Sequence, residues 1–272
     1  MKILLCSDGS KKNKNALVFG ALVAGYLKAE VTILHVVEDE VDESERIFAE
    51  AGVILAKKGV NEYKTKKLKS QADVQILKYA KKKDYDMVIV ASHGVQYLRA
   101  FLFGNVAIRV IEHIGTHILV VRSSRKKLKK VLFCTGGSLF AKKAVKFGSE
   151  IAFAAGAKAT IMHVVPDVPG MYRGLGMQGT LNEFLKCDTP ECIALKEAAN
   201  ILEKRGIETE VKLRHGLPSE EIILEAEEGD YDLIVMGSHG MSSPARFLLG
   251  DVAYKVIKHS KTPCLLVKKQ ER

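Results

Sequence analysis

The sequence predicts an α/β protein built from two tandem, doubly wound parallel sheets of five strands, with helices on both faces. Three observations carry this reading. The chain is written twice; short β-branched runs alternate with longer amphipathic ones; and the short runs are apolar throughout rather than at every second residue. Strands apolar along their whole length are buried on both faces, as in a parallel sheet. Alternating β and α segments joined by right-handed crossovers give the doubly wound arrangement.

The duplication is legible in four matches that occur in the same order. KILLCSDGSKKNKNA (2–16) matches KVLFCTGGSLFAKKA (130–144), and VTILHVVED (31–39) matches ATIMHVVPD (159–167). YDMVIVASHG (85–94) matches YDLIVMGSHG (231–240), and FGNVAIRVIEHIGTHILVV (103–121) matches LGDVAYKVIKHSKTPCLLV (249–267). The 272 residues divide at 124/125, with the basic run 123–130 as the joint, and the second copy carries about twenty additional residues near 166–195. In the first copy the strands fall at 3–7, 31–37, 87–91 and 117–121, with a weaker one at 63–68. Between them NALVFGALVAGYL, RIFAEAGVILAKKG and VAIRVIEHI space apolar residues by three and four, the helical period.

Hydrophobic residues make up 47% of the chain, enough to build sizeable cores. The net charge of +10 permits an anionic partner, but the lysines are interspersed with acids and only SSRKKLKK is concentrated. A solvated lysine-rich surface is expected rather than a nucleic-acid footprint. Met1-Lys2 leads directly into a strand, and no apolar run reaches the ~18 residues of a membrane span, so a cytoplasmic protein is expected. Cys6, Cys134 and Cys264 sit in apolar strands and read as core residues. Cys187 and Cys192, in CDTPEC, are close in sequence but lack a second Cys or His pair to complete a zinc set, and free thiols are expected.

Two loops per copy leave strand ends in a way that points to chemistry. One is CSDGS (6–10) or CTGGS (134–138); the other is ASHG (91–94) or GSHG (237–240). After the second loop comes a nine-residue excursion, then Gly104-Asn105 or Gly250-Asp251, then a helix. Glycine lets the backbone approach closely, and a helix start offers unpaired N–H groups and a partial positive charge. Together these make a main-chain phosphate cradle at the carboxyl edge of the sheet, where such folds bind ligands. Asn105 and Asp251 stand just before helices and are read as N-caps. His93 and His239 have no evident orienting partner for a catalytic base, and His35 and His163 read as satisfied interior groups. The acidic run 38–45 reads as including a solvated helix start.

On these stretches the chain resembles the universal stress proteins, in their tandem form, over nearly its whole length. Nucleotide-binding members of that family carry Gly, two residues, Gly, nine residues, Gly, then Ser or Thr. The second copy has Gly237, Gly240 and Gly250, with Asp251 in the hydroxyl position; the first has Ala91, Gly94, Gly104 and Asn105. The family's Asp beside adenine and ribose corresponds to Asp8, and Gly136 replaces it in the second copy. The valine that lines the adenine pocket is present as Val36 and Val164. The resemblance implies adenine-nucleotide binding in a stress-response or signalling role. It also implies two domains, 1–124 and 125–272, packed as a pseudo-dimer through the strands 117–121 and 264–267, with a homodimer also open. The better site falls in the second domain, on Thr135, Gly136, Val164, Met236, Gly237, His239, Gly240, Gly250, Asp251 and Val252. Val164 and Met236 would flank the base, and the Val252 N–H would meet phosphate. A weaker site in the first domain comprises Ser7, Asp8, Val36, Gly94, Gly104 and Asn105.

Asp251 places a fixed negative charge where distal phosphates would lie, so AMP or ADP is expected over ATP. The alternative is that Asp251 recruits Mg²⁺ and tolerates ATP. Two rival functions stay open: slow ATP hydrolysis or adenylate transfer, for which no base and carboxylate pair is evident, and a nucleotide-free interaction module. GLGMQG (174–179) fits a dinucleotide pattern but does not follow a strand, and it reads as a mobile loop or a lid. TGGS (135–138) resembles the loop of adenylating pyrophosphatases, but Leu139-Phe140 follow where an acid and a hydroxyl belong.

Overall fold

A computed structural model describes residues 1–10, 13–38, 42–91, 105–123, 125–137, 139–166, 180–238 and 250–268, without the side chains of 105, 139 and 140. The first half runs β1 (Lys2–Cys6), α1 (Asn13–Tyr26), β2 (Glu30–Val37), α2 (Ser44–Ala56), β3 (Tyr63–Lys69), α3 (Ala72–Lys83), β4 (Met87–Ala91), α4 (Asn105–His113) and β5 (His117–Val121). The second half repeats it as β6 (Lys130–Thr135), α5 (Leu139–Ala155), β7 (Lys158–Val165), α6 (Leu181–Phe184), α7 (Pro190–Lys204), β8 (Thr209–His215), α8 (Pro218–Glu228), β9 (Leu233–Gly237), α9 (Asp251–His259) and β10 (Cys264–Val267). The short helix α6 and the start of α7 lie in the stretch that the second copy adds. Among the helices of the first half, α3 was not named from sequence: it buries only Asp73, Ile76 and Ala80 and ends in Lys81, Lys82 and Lys83, so its apolar stripe is thin.

The strands form one ten-stranded sheet in the order β3-β2-β1-β4-β5-β10-β9-β6-β7-β8. Pairing within each half is parallel, and the two halves meet where β5 and β10 pair antiparallel, Leu119 opposite Leu265. The carboxyl edges of the two halves therefore face opposite ends of the sheet. One core layer packs under α1, α2, α5 and α7 and the other under α3, α4, α8 and α9; each draws residues from both halves and continues across the seam. The outer strand β3 is largely exposed and reads YKTKKLK, lysines that disfavour edge-to-edge association. Among the described residues no helix is long and apolar enough to cross a membrane.

The repeated YD dipeptide has a structural role in both halves. Tyr85 and Tyr231 are buried beside the sheet. Asp86 accepts the Lys2 N–H at 2.7 Å, and Asp232 accepts the Lys129 and Lys130 N–H groups at 2.7 and 3.2 Å. Each aspartate thus ties the start of its half's central strand to the neighbouring strand. Arg125, in the joint, pairs with Asp230 at 2.6 Å and docks the linker on the second half.

At the seam, His117 is buried, its ring 4.3 Å edge-on to Phe147, and its Nδ1 accepts the Lys268 N–H at 3.1 Å. Burial holds its pKa down to about 4 against the pull of Asp86, with Lys143 adding to the depression. The unfolded chain, titrating near 6.5, binds this proton first, so stability is full above about pH 6.5 and falls as pH drops toward 4. Denaturant unfolding between pH 7 and 4 should show this loss, up to about 3 kcal/mol at about 1.4 kcal/mol per unit. His117→Gln should flatten that part of the profile. Parallel slopes in the two proteins would assign the loss to other groups.

Candidate functional site

The strand order reverses between β1 and β4, and again between β6 and β9, which opens a crevice at the carboxyl edge of each half. The first loop enters each crevice through a matching set of bonds. The Ser7 carbonyl accepts from His35 Nδ1, and the Thr135 carbonyl from His163 Nδ1, both at 2.8 Å. Gly9 and Gly137 then turn at φ +74° and +76°, a backbone conformation that favours glycine. A side chain at Gly137 would meet the backbone of Glu191 in the first turn of α7 at 3.4 Å. His35 and His163 are buried and hold loop backbone, with Phe48 edge-on to one ring and Phe184 of α6 stacked on the other at 5.3 Å.

At the tip of this loop the copies diverge. Asp8 is exposed, and its Oδ1 accepts the Ser10 N–H at 2.8 Å. Gly136 takes its place, and a Cβ there would meet no atom of the described residues within 4 Å, where the first half carries a carboxylate.

Thr135, with Gly136 just after it, Val164, and Met236 and Gly237 come from the ends of β6, β7 and β9, which are neighbours, with β6 central. Val164 and Met236 share the core layer on the α8–α9 side, at 7% and 3% exposure, so only a small part of either faces solvent. Val36 is half-buried in the same layer. Ser238, fully buried, donates its N–H to the Val267 carbonyl at 3.1 Å and accepts the Gly250 N–H at 2.9 Å. This closes a neck that fixes the start of α9 against the end of β9. Gly94, Gly104, His93, His239, Gly240 and GLGMQG lie outside the described residues.

The N-cap expectation for Asp251 is corrected. Gly250 is the N-cap: its backbone is extended at φ −62° and ψ 145°, and its carbonyl accepts the Tyr254 N–H at 2.9 Å. Asp251 is the first helical residue, and its exposed carboxylate pairs with Lys255 at 2.8 Å instead of capping. Asn105 likewise opens α4 as its first residue. With a glycine at the N-cap and Asp251 turned to Lys255, no side chain of the described residues caps α9 there. Lys255 escaped the sequence reading, although the i,i+4 acid–lysine spacing of DVAYK announces such a pair.

The five cysteines are free thiols. Burial pushes Cys6 and Cys264 up to about 12 and raises Cys134 as well, although Cys134 is only partly shielded by area, less than a core reading implies. Such thiols are poor nucleophiles. No group of three or more His, Cys, Asp or Glu side chains suited to a metal ion occurs among the described residues.

The profile of the universal stress protein family matches residues 1–122 and again 127–268. A universal stress protein of Synechocystis sp. is 26% identical over 301 aligned positions, covering 97% of this chain and 98% of its own. One from Methanocaldococcus jannaschii is 34% identical over 156 positions, covering 56% of this chain and 89% of its own. Among solved structures, a universal stress protein from Archaeoglobus fulgidus superposes with a TM-score of 0.73 at 19% identity, covering 98% of both chains. Matched in both halves and aligned end to end with a relative, the chain belongs to the universal stress protein family.

Proposed function

We propose that the second domain, taken as residues 125–272, binds an adenine nucleotide, and that the chain acts through this binding in a stress-response or signalling role. One observation carries the reading. The Ser238–Gly250 neck brings the start of α9, with no side-chain cap bond at Gly250, to the end of β9, the strand that neighbours β6. A helix start placed there offers N–H groups and a partial positive charge to phosphate. Val164 and Met236, on one face of the neighbouring strands, suit the base, and the open space at Gly136 leaves room beside the ribose. His239 and Gly240, in the GSHG loop before the excursion, belong to the same proposed site. The first domain, residues 1–124, is the weaker site, with Ala91 where Gly237 stands in the second. Protein purified without added ligand, denatured and analysed for small molecules, tests the reading directly: released AMP or ADP supports it.

Ala91 adds a methyl group where the family's glycine, kept as Gly237, would let a ligand lie against the backbone. Gly237→Val should abolish AMP binding by isothermal titration without lowering the unfolding temperature, whereas Ala91→Val should leave it unchanged. Wild-type affinity and stoichiometry in Gly237→Val would place the site elsewhere.

The nucleotide is AMP or ADP in preference to ATP, because Asp251 opposes the distal phosphates. The carboxylate is 73% exposed and paired with Lys255, so the opposition is screened and moderate. Asp251→Ser should strengthen metal-free ATP binding by up to about fivefold, the scale of an exposed charge pair, with AMP unaltered. Mg²⁺-dependent ATP binding by wild type that Asp251→Ser loses would instead make Asp251 a metal ligand.

A further inference from the structure

The residue after β5 is Arg122 and the residue after β10 is Lys268, the same step of the two repeats. Both reach across the seam. Arg122 Nη1 donates to the carbonyl of Lys258, in the last turn of α9, and at 3.4 Å to that of Ser260, its C-cap. Lys268, 5% exposed, donates from Nζ to the carbonyl of Ile111 in α4 at 2.7 Å. A cation of each half therefore holds the carboxyl end of the other half's last helix. These are the helices whose opposite ends open the two candidate nucleotide sites.

We propose that Arg122 and Lys268 are positioning residues, each supplied by one domain to hold the phosphate-facing helix of the other, so that the second domain's nucleotide site is set by a residue of the first. The proposal rests on the nucleotide reading above. Its physical basis is simple. The last carbonyls of a helix have no partner within it, and a partly buried cation there is favoured by the helix dipole. A nine-residue helix is a short rod of about 13 Å, so fixing one end limits the other. The opposed carboxyl edges add a consequence. Arg122 follows β5 on the first domain's carboxyl edge, yet grips the helix that opens the site at the far edge. The seam itself does not need these two cations, because β5 and β10 already pair through their backbones.

Amide hydrogen exchange on the full, ligand-free chain, followed by AMP titration, tests this. Arg122→Met should speed exchange in α9 about tenfold, the scale of a buried helix-terminal cation, while α4 and the β5–β10 amides stay protected. Lys268→Met should do the reverse, loosening α4 and sparing α9. Arg122→Lys should restore α9, since a lysine already serves at the equivalent step on the other side. AMP affinity should fall about tenfold in Arg122→Met and recover in Arg122→Lys. Faster exchange confined to the substituted residue's own half, spread evenly over β5 and β10, or absent would overturn the proposal. So would AMP affinity unaltered in Arg122→Met while α9 loosens. If wild type fails to bind AMP, the nucleotide reading falls, and with it the positioning role, while the exchange data still decide whether the crossed contacts hold the helices.

Discussion

The antiparallel pairing of β5 with β10 is the contact on which the remaining architecture depends. It converts two five-stranded parallel sheets into one of ten strands and removes an exposed edge from each half. It also merges the cores: Leu119 and Val121 join Leu265 and Val267 in one layer, and Ile118 and Val120 join Cys264 and Leu266 in the other. Because the pairing is antiparallel, the two crevices lie at opposite ends of the sheet. Any influence of one upon the other has to cross the seam.

Within that frame the halves share a backbone and differ in side chains. Both first loops are held by a buried histidine on a loop carbonyl, and both turn through a glycine at positive φ. Both halves tie the start of the central strand to the aspartate of YD. These shared features are the ones the fold requires. The positions that diverge, Asp8 against Gly136, Ala91 against Gly237 and Asn105 against Asp251, all follow or end strands or open helices at the carboxyl edges of the two halves. Duplication followed by drift at such positions yields two unlike strand-end loops on one scaffold.

Much of the fold was legible because its signals are local. Apolar strand runs and three-and-four helical spacing are written within ten to fifteen residues, so β4 and β5 fall on the residues the pattern marks, and other strands shift by a residue or so. The helix α3 escaped because its buried stripe is only three residues wide in sequence. The capping residue at α9 was misplaced by one position because Asp and Gly are both acceptable caps, and only the backbone angles of Gly250 decide between them.

The sequence by itself determined the duplication, the β/α alternation and the two loops at each carboxyl edge, and its family resemblance pointed to the strands that form the seam. It also marked which crevice keeps its glycines. Tertiary structure decided that the Asp251 carboxylate turns to Lys255 and that the YD aspartates hold strand starts. It decided too that Arg122 and Lys268 cross to the opposite half. The physical reason is distance along the chain. Arg122 and Lys258 are 136 residues apart, and no period or propensity links them. Only the register of β5 against β10 brings that guanidinium to the end of that helix.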